Sequence, residues 1–269
     1  MAQQPGPAPS GPPSLQEHLP EGITCVGVMS GKGGVGKSVV TGLLAVAFAK
    51  HGRTVGILDA DLTGPSIPRI FGAQKPRWIE GQPIRPAQTG ELGIAVMSLN
   101  LLVEHEDDPV IWRGPLVAKT LESLVTDVDW SGVETLFVDL PPGTSDVPLT
   151  VMQSLPLTGL IMVSSPQDLA AMIVRKAIKM ARMMDVPILG VVENMTHVIC
   201  PKCGEQIELF GRSRDEDALG GLDVLARIPV DPELSALCDQ GRIESYPRNP
   251  FEGKVAELTT LMELPPGRS

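Results

Sequence analysis

The sequence predicts an α/β fold, a mostly parallel sheet with helices on both faces. Two observations predict it. Short apolar runs of strand length alternate with longer helix-forming segments along most of the 269 residues, which is how strands buried on both sides and joined by helical crossovers read. The first such run also ends directly in a glycine-rich loop that opens a helix, the kind of junction where parallel sheets gather their ligands. With 42% hydrophobic residues the chain has the apolar material for a full core.

The elements follow in order. Residues 1–21 are expected to form a disordered tail, since six of the first 20 residues are proline and few are apolar; residues 22–269 form the folded domain. Thr24 to Ser30 reads as a buried strand and Lys37 to His51 as a helix apolar on more than one face, stopped by Gly52. Further strands are predicted at Thr54 to Asp59, Gly93 to Leu99, Thr135 to Leu140, Gly159 to Ser164, Pro187 to Glu193 and Asp223 to Ile228. Helices are predicted at Leu116 to Asp127, Gln167 to Met184, Arg212 to Leu219 and Leu234 to Gln240, and Lys75 to Glu91 is a surface excursion.

Composition excludes some functions. A formal charge of −10 argues against nucleic acid, which is gripped by clustered Lys and Arg. No apolar run reaches the roughly 18 residues that span a bilayer. The C-terminal run Val255 to Leu264 lacks the basic face of a membrane-surface helix. With no secretory signal at its start, the chain is expected to be cytoplasmic.

The glycine-rich loop is Gly31-Lys32-Gly33-Gly34-Val35-Gly36-Lys37-Ser38. Its spacing fits G-x-x-x-x-G-K-[ST], in which backbone N–H groups and a helix N-terminus cradle phosphates. Lys37 would reach the β- and γ-phosphates of a nucleoside triphosphate and the Ser38 hydroxyl would sit on Mg²⁺. Two acidic segments close strands: Asp59-Ala60-Asp61 and Asp139-Leu140-Pro141-Pro142-Gly143. An aspartate at such a tip holds Mg²⁺ or orients water, or caps a turn. Lys32 exceeds the motif. A cation supplied to the transferring phosphoryl group from a second subunit would make hydrolysis depend on dimer closure.

Four cysteines occur: Cys25, Cys200, Cys203 and Cys238. Cys200-Pro-Lys-Cys203-Gly suits two thiolates gripping one metal centre; half a zinc knuckle, a redox dithiol and two ligands of a cluster all remain open. Cys25 and Cys238 lie in apolar segments and read as core thiols; His197 is the nearest other candidate ligand. Zinc or a [4Fe–4S] cluster wants four ligands and the pair supplies two, so the simplest completion is two pairs from two subunits about a two-fold axis.

With these residues in view, the chain resembles a known family. The loop with its extra lysine is similar to the deviant phosphate loop of the MinD/ParA/nitrogenase-iron-protein class of P-loop NTPases. Asp59-Ala60-Asp61-Leu62-Thr63-Gly64-Pro65-Ser66, Trp112-Arg113-Gly114-Pro115, Asp139 to Asp146, Glu193-Asn194-Met195 and Cys200 to Gly204 together resemble the Mrp/ApbC iron–sulfur cluster carrier ATPases, in the family's order. The resemblance implies that Lys32 reaches the partner's nucleotide, that Asp61 activates water and that Asp59 and Asp139 lie nearer the metal. It further implies that Asn194 reads adenine, with the loop of Pro229 and Asp231 closing that pocket. It implies a homodimer that holds a [4Fe–4S] cluster through Cys200 and Cys203 of both chains and delivers it to apo iron–sulfur proteins. Two other roles within the class are a positioning ATPase with structural zinc and an ATP-driven electron donor. The tail lacks the four-cysteine cluster site of some eukaryotic members.

Overall fold

A computed structural model describes residues 15–62, 64–76, 78–102, 114–144, 146–166, 168–210 and 221–263. The predicted helix Arg212 to Leu219, most of the N-terminal tail, and Thr63, Trp112, Arg113 and Ser145 of the quoted motifs lie outside the described residues.

The first strand, β1 (Thr24–Ser30), is buried over nearly its whole length, and α1 (Lys37–Lys50) follows it across the phosphate loop. Then come β2 (Val55–Asp59), α2 (Ile67–Phe71), β3 (Ala87–Gln88), β4 (Ala95–Ser98) and α3 (Gly114–Thr126). After these the chain forms β5 (Thr135–Asp139), α4 (Asp146–Ser154), β6 (Gly159–Ser164), α5 (Asp168–Met183) and β7 (Ile188–Asn194). A small hairpin of β8 (Val198–Ile199) and β9 (Gln206–Ile207) precedes β10 (Val224–Ile228), α6 (Pro232–Asp239) and α7 (Val255–Glu263).

The main sheet runs β10-β7-β6-β1-β5-β2-β4-β3, parallel throughout except for the edge pair β3–β4. Parallel strands put all their carboxyl ends on one rim. The phosphate loop after β1, the aspartates ending β2 and β5, and the segment leading from β7 to the cysteines therefore share that rim.

Two apolar layers hold the sheet. One packs α1, α2, α6 and α7 against it through residues such as Leu43, Val46, Phe48, Ile67 and Leu258; the other packs α3, α4 and α5 through Val117, Leu121, Val151 and Ala177. Helix α1 lies between sheet and outer helices, with Val40 to Phe48 all buried. This explains its apolar character on more than one face. Gly42 is needed there, because a Cβ would come within 2.9 Å of the Ile243 side chain.

Several boundaries differ from expectation. The tail was placed at residues 1–21, but Leu15–His18 forms a 3₁₀ turn, and its Leu15 and the following Leu19 are buried in the second layer; two leucines suffice to anchor it. The Lys75 to Glu91 excursion ends in the two-residue edge strand β3. Neither α2 nor α4 was predicted, since both carry an internal proline early in the helix, where its missing N–H costs nothing. Helix α7 buries Val255, Leu258 and Met262 in the core, so its apolar face is already covered.

Candidate functional site

The loop backbone has the shape its glycines allow. Gly34 and Gly36 have φ near +80° (79 and 80), where a side chain is strained, and a Cβ at Gly33 or Gly34 would meet nothing within 4 Å. The hollow is open. Helix α1 begins at Gly36 with no side-chain cap and no acidic residue in its first turn. Its first N–H groups and the positive end of its dipole are thus available to an anion.

Below the hollow lies a charge cluster. In parallel register Asp59 pairs with Asp139, so both carboxylates leave adjacent strands on one face, and both are fully buried. Asp139 accepts from Ser38 Oγ at 2.5 Å and from Thr41 Oγ1 at 2.8 Å. Lys37 Nζ lies 2.8 Å from Asp139 and 3.5 Å from Asp61. The ammonium is buried yet makes no hydrogen bond: the 2.8 Å contact has the separation of one but not its direction. A buried ammonium with unaimed donors is costly unless something else accepts from it. Phosphate oxygens in the hollow above would do so, and the loop, the uncapped helix and Lys37 together fit a nucleoside triphosphate. Ser38 and Asp139 are the residues that would hold its Mg²⁺.

Asp59 is held by the backbone of the segment that follows β2. Its Oδ1 accepts from the Asp61 N–H at 3.2 Å, and its Oδ2 from the N–H groups of Ser66 and Ile67 at 3.1 Å each. It organises the loop that carries Asp61. Burial, and then the neighbouring Asp139, push its carboxyl well above the usual range, with Lys37 opposing.

Asn194, at the end of β7, is buried and reaches the phosphate loop: Nδ2 donates to the Val35 carbonyl at 2.9 Å while Oδ1 accepts from the Met195 N–H at 2.9 Å. Pro229 and Asp231 sit apart from the charge cluster. They line a cleft of about 290 Å³ with Ile199, Tyr246, Arg248 and Pro250. The Asp231 carboxylate caps α6 through Glu233 N–H (2.9 Å) and binds Tyr246 Oη and Arg248 Nη2 at 2.7 Å each. Both carboxylate oxygens are thus engaged within the protein.

The cysteine pair occupies the tip of the β8–β9 hairpin. Cys200 N–H donates to Glu205 O and Cys200 O accepts from Gly204 N–H, both at 2.9 Å, and Gly204 takes a left-handed φ of +75° to close the turn. Cys200 is half-buried and Cys203 exposed. The N–H groups of Cys203 and Lys202, then the Cys203 thiol, donate to the Cys200 sulfur and hold its pKa below the ordinary thiol value. The other two cysteines are unavailable: burial pushes Cys25 up to about 12 and Cys238 up to about 11. Among the described residues no group of three or more His, Cys, Asp or Glu side chains could hold a metal.

The residues thus fall into three sets. Lys37, Ser38, Asp59, Asp61 and Asp139 meet around the loop; Asn194 bridges the loop to the β7 exit; Cys200 and Cys203 stand on a hairpin of their own. Lys32, at the loop's start, is partly exposed. Thr41 went unnoticed in the sequence, although four residues after Lys37 it lies one helical turn on, facing the same aspartate.

A phosphate loop after the first strand of a parallel sheet, with an aspartate ending the neighbouring strand, defines a P-loop NTPase of the MinD/ParA type. The fold agrees: MinD from Pyrococcus furiosus superposes with a TM-score of 0.56 at 22% identity, covering 89% of this chain and 97% of that one. A family model described as the NUBPL iron-transfer P-loop NTPase, of ParA type, matches residues 23–262, and the chain belongs to that family. It is 46% identical over 243 residues to an iron-sulfur cluster carrier protein of Clostridium perfringens, covering 86% of this chain and 85% of that one. It also resembles a nucleotide-binding protein of Archaeoglobus fulgidus solved with ADP and with cobalt, with 43% identity, a TM-score of 0.78 and 89% and 95% of the two chains covered.

Proposed function

We propose that this protein is an ATP-dependent iron–sulfur cluster carrier: two chains hold one [4Fe–4S] cluster between their Cys200–Cys203 pairs and deliver it to apo-proteins. The observation that carries this reading is the state of the four cysteines. Two form a hairpin tip with thiols accessible and one thiol acidified, while the remaining two are locked in the core. A four-ligand cluster must therefore find its other ligands outside the chain's cysteines, and a second copy supplies them with the same geometry.

The nucleotide site sets the timing. Gly33 to Ser38 bind and orient the phosphates, Lys37 neutralises their charge, and Ser38 with Asp139 would hold Mg²⁺, which would supply further positive charge to the phosphates. Asp61, fixed by Asp59, orients the attacking water. Lys32 of the second chain completes the charge at the transferring phosphoryl group, so that turnover requires the closed dimer. Closing and opening the dimer changes the geometry of a cluster that spans it.

Anaerobically reconstituted protein should pass its cluster to an apo-ferredoxin, restoring that protein's spectrum. In parallel, Lys32→Ala should lower ATP turnover by about 10³-fold, the scale of a cation supplied in trans, while nucleotide still binds. A cluster that cycles redox state without leaving would instead identify an electron donor, and turnover unchanged in Lys32→Ala would remove the partner's lysine from the site.

A further inference from the structure

We propose that Asn194 is a positioning residue that makes the cysteine hairpin respond to the phosphate loop itself, and not only to the base of the nucleotide. The inference rests on the nucleotide-controlled carrier described above.

The link begins with a peptide unit. Asn194 Nδ2 donates to the Val35 carbonyl at 2.9 Å. It also packs directly on the bare Cα of Gly36, where a Cβ would lie 2.2 Å from Nδ2. The Val35–Gly36 peptide is planar and trans, so its carbonyl and its N–H point in opposite directions. Holding the Val35 carbonyl from one side therefore fixes where the Gly36 N–H aims on the other. Loop N–H groups of this kind are the ones that receive phosphate. A phosphate that turns this peptide must move the carbonyl on which Asn194 rests.

The link continues towards the cysteines without slack. Asn194 Oδ1 accepts from the N–H of Met195, a residue in the left-handed region at φ 59°, uncommon for a side chain of its size. Thr196 is fastened by its N–H and its Oγ1 to the Ile228 carbonyl, at 3.0 and 3.2 Å. The His197 carbonyl accepts from Val230 N–H at 2.8 Å. Val198 and Ile199 then form β8, and the next residue is Cys200. A buried amide at one end and a thiol at the other are thus separated by a short segment tied down at each of its first three residues. Displacing Asn194 pulls on that segment together with the Ile228 and Val230 backbone bonded to it, and so on the β8 strand that runs directly into Cys200.

The test uses metal-free full-length protein and reads the alkylation rate of Cys200 and Cys203 by iodoacetamide. It compares no ligand, MgATP, and Mg-tripolyphosphate, which carries the phosphates without a base. Both ligands, at concentrations shown by calorimetry to saturate, should change the wild-type rate in the same direction by about 5-fold, the lower end of measured couplings between sites. In Asn194→Ala neither should change it. Thr196→Val, away from the loop, should keep nucleotide affinity and lose most of the response. A wild-type response to MgATP with none to tripolyphosphate would overturn the proposal, because the base alone would then be read. So would a full response in Asn194→Ala. If that variant fails to fold or to bind, a full response in Thr196→Val overturns it instead. No response of the wild type to either ligand would remove nucleotide control of the cysteines altogether, a failure of the carrier reading and not of this residue alone.

Discussion

The phosphate-loop region and the cysteine hairpin share one rim of the sheet but are built in opposite ways. Around the loop, Lys37, Asp59 and Asp139 are buried, tied to one another and to the backbone, and set by strand register. At the hairpin, residues 201–210 are all exposed, including Ile207, Leu209 and Phe210, and the cysteines rest on a two-residue ladder. Charge chemistry needs a dry, preassembled cluster, whose parts one chain can supply. The metal site we propose needs the reverse: ligands within reach of a second chain and of a recipient, with little of the fold depending on them.

Exchanging both cysteines tests that contrast with the largest expected effect. Cys200→Ser with Cys203→Ser should abolish cluster binding on reconstitution, yet leave folding stability within about 0.5 kcal/mol of wild type, as for other surface substitutions outside the packed core. A large loss of stability would mean that the hairpin belongs to the core after all. At the loop the balance reverses. Asp139→Ala strips the partner from buried Lys37 and the acceptor from Ser38 and Thr41. It should cost about 3–5 kcal/mol in urea unfolding, the range for a broken buried pair, as well as nucleotide binding. A near-neutral result would show that water reaches Lys37.

A smaller effect sharpens the comparison at Asp231, the cap of α6. Burial alone would raise its pKa, but hydrogen bonds from Arg248, Tyr246 and the Glu233 N–H more than offset this and hold it below the ordinary value. A carboxyl held low in the folded state adds stability above its unfolded pKa and loses it as pH falls through the folded one. Asp231→Ala should therefore cost about 1 kcal/mol near neutrality, as helix caps do. The difference from wild type should persist down to about pH 4 and close below it. A pH-independent gap would mean that lost packing, not charge, is responsible.

Much of this was legible in the sequence where local chemistry decides structure. The loop announces itself because glycine adopts the φ of Gly34 and Gly36 without strain, and the strand ends at Asp59 and Asp139 follow from apolar runs meeting an acid. The tasks of those acids were not legible. That Asp59 gathers the N–H groups of Ser66 and Ile67 depends on a five-residue helix too short and proline-bearing to show as a period. Likewise, Asn194 meets Val35 only because β7 stops beside the loop, a contact across 159 positions that no spacing rule contains. Leu15 and Leu19 were missed because composition averages over a tail in which two side chains carry the contact.

The central claim is that the metal site is half of one, completed by a second copy. Native mass spectrometry of the anaerobically reconstituted protein tests it most directly. The account predicts a species of two chains with one [4Fe–4S] cluster, absent from the Cys200→Ser, Cys203→Ser protein. A single chain carrying a whole cluster, or a dimer with its own metal on each chain, would contradict it.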